Sequence, residues 1–217
     1  MNEKEKAKKI LKILNKIYPT TPIPLDHTSN FTLLMSVLLS AQCTDLNVNN
    51  VTKGIYPKYN KPEHFLKLGR KRIEKLIKSI GLFRVKAKSI YLMSKQLLAK
   101  HGGKVPKSFE ALEKLPGVGH KTASVVMSQG FGVPAFAVDT HIHRLAQRWG
   151  LTNGKNVIQT EKDLKRIFPE KTWSKLHLQI IYYGREFCKA RECYGVTCKI
   201  CTTCYPNRKI PVKIKKP

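Results

Sequence analysis

Two stretches of this chain place reactive residue types at spacings suited to chemistry. The first is LPGVGHKT at 115–122, set between the helical patterns SFEALEK and TASVVMSQGF. Glycines at 117 and 119 allow a tight turn between two helices. They leave amide N–H groups bare at the start of the second helix, where the helix dipole favours an anion. Gly117, Val118, Gly119, His120 and Thr122 therefore form a candidate phosphate cradle, and Lys121 adds a cation at the same helix start. Such a cradle touches only phosphodiester oxygens and binds without reading base sequence. The bland alternative is an ordinary turn between helices with a solvated lysine beside it.

The second stretch is Cys188-KARE-Cys193-YGVT-Cys198-KI-Cys201-TT-Cys204, five thiols within seventeen residues, with only Cys43 elsewhere. A disulfide framework would spread its cysteines along the chain. A knot of thiols instead predicts a reducing compartment and a metal centre that draws on four of the five. Folding around a metal would hold Arg185, Lys189 and Arg191 on one surface, where they could meet DNA phosphates. Thiols alone leave zinc and iron–sulfur both open.

These residues need elements to carry them. The chain has 217 residues, 41% of them hydrophobic, enough for one or two modest cores. Apolar residues recur at helical spacing, as in Ala7, Ile10, Leu11, Leu14 and Ile17, or Ile73, Leu76, Ile77 and Ile80. Alternating strand patterns are nearly absent, so the expected class is all-α. Phe31 to Leu39 is apolar on most sides and predicts a helix buried at the centre of the molecule. Breakers from Pro22 to Pro169 divide the chain into about nine or ten short helices.

Lys and Arg number 41 against 14 Asp and Glu, a formal charge of +27, and a polyanion is the natural partner. A generally basic proteome would give the same excess. No run reaches the roughly 18 apolar residues of a membrane span. The start, MNEKEKAKKILKIL, is amphipathic and unlike a signal peptide, so an intracellular, cytoplasmic protein is expected. The tail from Tyr205 to Pro217 carries five basic residues and no acid, and reads as a flexible phosphate-binding arm or a solubilising end.

LPGVGHKTA followed by VDTHIHR resembles the helix-hairpin-helix and catalytic segment of the endonuclease III family of DNA glycosylases. LLSAQCTD at 38–45 and IGLFRVKAKSI at 80–90 resemble that family's two DNA-probing segments, in the same order. With the cysteine knot, the similarity spans nearly the whole chain. It implies a six-helix bundle over 22–132 bearing the hairpin. Residues 1–21 with 133–217 would form a second helical domain with an iron–sulfur loop, and DNA would lie across the cleft between the two.

By the same resemblance Lys121 is the amine nucleophile that attacks C1′ of a flipped, damaged nucleotide, expels the base and leaves a Schiff base before strand cleavage. A nucleophilic amine must be neutral, which is expected to require burial of Lys121 beside apolar helix faces. Asp139, which also suits the N-cap of the following helix, would assist deprotonation or stabilise positive charge on the sugar. Gln42 would fill the space the nucleotide vacates. Leu82 would wedge against the opposite strand, although a place in the core is an equal reading for a leucine. His141 and His143 suit packing better than catalysis.

The family carries a 4Fe-4S cluster near its C-terminus. The implied ligands are Cys188, Cys198, Cys201 and Cys204, spaced by nine, two and two residues, with Cys193 either spare or in the place of one of them. This keeps the family's central pair but lengthens the first loop and shortens the last. The implied partner is double-stranded DNA holding oxidised pyrimidines or abasic sites, met by a monomer. An adenine-type glycosylase without a lysine nucleophile and a non-catalytic architectural DNA-binding protein are the rival readings.

Overall fold

The structure, a computed structural model, describes residues 1–216. Among these residues all regular structure is helical, and the chain divides into two compact units, Ile23–Val133 and Met1–Pro22 joined with the chain from Pro134 onward.

The first unit holds α2 (Asn30–Ser40), α3 (Asp45–Lys53), α4 (Pro62–Leu76), α5 (Phe83–His101), α6 (Phe109–Glu113) and α7 (His120–Val125), which runs on as a π-helical turn over Val126–Gly130. α2 is its central element. Every residue from Phe31 to Leu39 is buried, because a helix apolar on all sides must be covered on all sides. Its start is set by a capping box: Ser29 Oγ accepts from Thr32 N at 3.2 Å, and Thr32 Oγ1 accepts from Ser29 N at 2.9 Å. The one buried hydroxyl in its middle that needs a distant partner, Ser36, donates to Asp26 O at 3.0 Å and lies 2.6 Å from Tyr56 Oη. Those bonds fix how the preceding loop packs on the helix.

The second unit contains α1 (Glu3–Ile17), α8 (Thr140–Trp149), α9 (Val157–Ile167), a 3-10 turn at Glu170–Thr172, α10 (Trp173–Glu186) and α11 (Lys199–Cys204). Ala7, Ile10 and Leu14 form the inner stripe of α1, which packs on α9, α10 and α11. Trp149, Phe136 and Tyr183 are the bulkiest apolar groups of this core. No helix among the described residues is long and apolar enough to cross a membrane.

The basic tail differs from the flexible arm that was one of the two readings of its composition. Arg208 Nη1 donates to Arg148 O at 2.6 Å and Gly195 O at 3.2 Å, and Val212 N donates to Tyr194 O at 2.9 Å. Gln147 then exchanges two hydrogen bonds with the backbone of Lys215, at 3.0 and 2.8 Å. Charge composition predicts solvation, and these backbone partners hold the segment against the unit instead.

Candidate nucleic-acid site and metal centre

The hairpin is built from a short helix, a turn and a second helix start. Ser108 Oγ caps α6 by accepting from Ala111 N at 3.3 Å. Leu115 and Val118 are buried and pin the turn to the core. Gly117 has φ +81°, and a Cβ there would lie 2.8 Å from Ser89 Cβ and Oγ. Gly117→Ala should therefore lower unfolding free energy by about 1–3 kcal/mol through strain and overpacking, as urea melts would show. A stability equal to wild type would mean that the turn is not as tight as described.

Val118 corrects the cradle as first read. Its N–H donates to Leu115 O at 3.1 Å, so it closes the turn and is spent within it. Gly119 is the N-cap of α7, with extended φ −97° and no side-chain cap, and the space its Cβ would fill is open. A ligand can approach this backbone closely. His120 is braced: Nδ1 lies 2.7 Å from Glu113 Oε1, and the ring stacks on Phe109. Thr122 is half-buried on the same first turn.

Lys121 is exposed, which corrects the expectation that apolar faces would bury it. It occupies the second position of α7, and the inner face of that helix belongs to Ala123, Ser124 and Val125. A long side chain two residues before that run projects off the core. The amine is open to a ligand, and any shielding from water has to arrive with the ligand.

Gln42 and Leu82 share an unusual feature. Among the described residues only Gln42 (φ 54°), Leu82 (φ 59°) and Tyr194 (φ 48°) are non-glycine residues in the left-handed region. Such backbone costs on the order of 1–3 kcal/mol and collects at functional sites. Gln42 is exposed, and Leu82 is 55% exposed, which removes the core reading of that leucine. Exposed Leu46 and Val85 stand on the same two segments and were not singled out from sequence.

A more consequential omission is Lys86. Only 5% exposed, it donates from Nζ to Leu39 O at 2.9 Å and Ala41 O at 2.6 Å. Burial lowers its pKa from the ordinary lysine value, with Cys43 opposing the shift. Its spacing of four residues from the buried Ile90 was the periodic hint of burial.

In the second unit, Asp139 is the N-cap of α8, and its Oδ1 accepts from Ile142 N at 2.8 Å. His143 is buried with Nδ1 2.8 Å from Thr160 Oγ1, and burial lowers its pKa. His141 lies beside Arg144 at 3.3 Å. His143 is thus packed in the core, while His141 is half-buried. Further along α8, Arg144 and Arg148 are buried arginines that sequence reading missed. Arg144 Nη2 donates to Gly184 O and Cys188 O, each at 3.1 Å. Arg148 donates to Lys189 O at 2.8 Å, Ala190 O at 2.9 Å and Cys188 Sγ at 3.4 Å. One helix therefore carries Asp139 at its start and anchors the cysteine loop from its later turns.

That loop gathers a quartet of sulfurs that takes up the open place of Cys193. Cys188, Cys193, Cys198 and Cys201 are all buried, and their sulfurs lie within 4.8 Å of one another. Cys204 is buried too but stands outside this group, with Cys193 in the place assigned to it from spacing. The reason is the fold of the loop. Tyr194 and Gly195 both adopt positive φ, so the chain reverses there, and Cys198 N donates to Cys193 Sγ at 3.4 Å. Cys204, at the far end of α11, is carried away from Cys198 by the rise of the helix. Four buried sulfurs are the donor set of zinc and of iron–sulfur clusters alike. The present spacing fits one tetrahedral ion with bonds of about 2.3 Å, and a four-iron cluster fits once the thiols spread. Arg185, Lys189 and Arg191 are exposed near this loop, Lys189 paired with Glu192 at 3.1 Å.

Residues 35–170 match the HhH-GPD superfamily of base excision DNA repair proteins. The chain is 44% identical over 197 residues to endonuclease III of Bacillus subtilis, covering 90% of each protein. To endonuclease III of Escherichia coli K12 it is 42% identical over 210 residues, covering 95% of this chain and 99% of the relative.

This chain belongs to the endonuclease III family.

The family's solved structures agree. One of a trapped endonuclease III–DNA covalent intermediate superimposes with a TM-score of 0.86 at 40% identity, covering 94% of this chain and 99% of that one. The resemblance first seen in LPGVGHKTA and the all-helical class expected from periodicity both hold.

Proposed function

We propose that this protein is a bifunctional DNA glycosylase and AP lyase of base excision repair that removes oxidised pyrimidines from duplex DNA and then nicks the strand. The observation that carries this reading is an accessible amine, Lys121, on the first turn of a hairpin helix, in a chain whose close structural relative was trapped covalently on DNA.

The chemistry follows from the residues. The Lys121 amine bonds to deoxyribose C1′ while the glycosidic bond breaks, and the base leaves with the bonding pair and gains a proton. The nitrogen then sheds a proton, and its freed lone pair opens the sugar ring: the C1′=N bond of the Schiff base forms as the C1′–O4′ bond breaks and O4′ takes up a proton. Removal of a C2′ proton sends electrons through C2′–C3′ and expels the 3′ phosphate. Asp139 stabilises the positive charge that develops on the sugar, or accepts a proton, during these steps. Bound DNA supplies the exclusion of water that the free protein does not provide at Lys121.

Gly117, Gly119, His120 and Thr122 serve the phosphate backbone with Arg185, Lys189 and Arg191, which suits a charge of +27. Gln42 fills the vacated stack and Leu82 wedges the opposite strand, both from strained, exposed backbone. Cys188, Cys193, Cys198 and Cys201 hold a 4Fe-4S cluster whose task is to shape and charge the surface of the loop. The protein acts as a monomer in the cytoplasm.

Borohydride trapping on a duplex with one oxidised pyrimidine tests the reading. A covalent adduct supports it, excision without an adduct indicates a monofunctional glycosylase, and binding alone indicates an architectural protein. Asp139→Asn separates the two roles of that residue. Asparagine caps helices as well as aspartate does, so stability should stay within about 0.5 kcal/mol. Turnover should fall roughly a hundredfold or more. Unchanged turnover would leave Asp139 with its capping role alone.

A further inference from the structure

Within the first unit, the segments that carry Gln42 and Leu82 are tied together by two polar side chains. We propose that Lys86 and Asn47 are positioning residues that lock these segments into one rigid probe, so that Gln42 and Leu82 enter the duplex in fixed register. This rests on the reading of Gln42 and Leu82 as DNA-probing residues.

α2 ends at Ser40, and the carbonyls at its C-terminus carry the negative end of the helix dipole. Lys86 reaches them from the first turn of α5, with two charge-assisted hydrogen bonds at 2.9 and 2.6 Å to Leu39 O and Ala41 O, the residues that lead into Gln42. The backbone N–H of Lys86 donates to Leu82 O at 3.0 Å. One residue thus holds the backbone of one probe through its side chain and that of the other through its main chain. Asn47 bridges from the opposite side: Nδ2 donates to Cys43 Sγ at 3.3 Å, one residue past Gln42, and to Ser79 O at 3.2 Å, three before Leu82. Between the braces the segments touch, since a Cβ at Gly81 would lie 3.4 Å from Gln42 O.

Two features make this more than helix capping. Glycine or asparagine closes a helix C-terminus without desolvating a charge, whereas a lysine 5% exposed must lose most of its hydration. Left-handed backbone at a glutamine and a leucine also relaxes unless its surroundings over-determine it. Lys86 and Asn47 supply that determination on both sides of Gln42. Unstacking a base pair is offset only by groups that are already in place when the stack opens, and a loosely held probe would lose that benefit to ordering entropy.

The test compares Lys86→Met, Asn47→Ala and Gln42→Ala. Single-turnover excision is measured on a duplex with an oxidised pyrimidine, and strand cleavage on a single-stranded oligonucleotide with an abasic site, where no stack has to be filled. Lys86→Met should slow duplex excision about tenfold or more, and Asn47→Ala by a smaller factor. Both should leave single-strand cleavage within about twofold. Lys86→Met added to Gln42→Ala should slow excision less than the product of the single effects, because the brace acts through the probe. Equal loss on both substrates, or independent effects in the double variant, would show a merely structural lysine and overturn the proposal. Asn47→Ala decides the case if Lys86→Met does not fold. If Gln42→Ala itself leaves duplex excision untouched, the probe reading fails and the brace fails with it. If Gln42→Ala is slow while both brace variants match wild type, the brace alone fails.

Discussion

Lys121→Ala is expected to abolish the borohydride adduct and to slow base excision by at least about a thousandfold, while the variant still binds duplex DNA. Alanine removes the only atom that bonds to the sugar in the proposed mechanism. The fold should not notice, because the side chain is exposed at the start of α7, so stability stays within about 0.5 kcal/mol. Binding loses at most one phosphate contact of many, so the slope of log affinity against log salt should change by about one. Trapping, single-turnover excision and a salt titration on the same preparation separate these effects. A full-strength adduct in the alanine variant would remove Lys121 from the chemistry. An adduct lost together with all DNA binding would instead assign it to phosphate recognition.

Cys193→Ser is expected to be nearly as severe, through folding. Metal binding is coupled to folding, and in small thiolate sites its apparent free energy reaches about 10 kcal/mol or more. Serine at 193 removes a sulfur that packs 3.8 Å from Cys201 and accepts a hydrogen bond from Cys198 N. The purified variant should lose most of its iron and sulfide and melt at least about 10 °C lower. Cys204→Ser should keep both and lose no more than about 2 kcal/mol, the cost of a hydroxyl in a buried thiol's place. The reverse pattern would restore Cys204 as a ligand and Cys193 as the spare thiol. Stoichiometric zinc without sulfide in the wild-type protein would refute the cluster and leave the quartet standing. Arg148 gives an independent handle, since its guanidinium grips the backbone of residues 188–190 and reaches Cys188 Sγ.

Much of this protein could be read from the order of its residues, because the determining interactions are local. The burial of α2 follows from a run that is apolar except at Thr32 and Ser36, and the capping role of Asp139 from an acid ahead of a helical pattern. The hairpin and the family lie within short motifs, and the class within the helical periodicity of the apolar residues. Other features depend on partners distant in sequence, which periodicity and spacing do not encode. Lys86 reads as one more lysine in a basic helix until Leu39 and Ala41, more than forty residues earlier, turn their carbonyls toward it. Arg148 reads as solvated charge until the cysteine loop returns to it across about forty residues. The tail reads as a free arm until Gln147 binds its backbone. The choice among five cysteines was open for the same reason. Ligand spacing is one-dimensional, and the positive-φ reversal at Tyr194 and Gly195 selects Cys193 over Cys204 only once the loop has folded. Residue types along the chain therefore determined which chemistry is present, and tertiary structure decided which groups are buried, braced or left open to perform it, since burial and hydrogen-bond partners are properties of the packed chain.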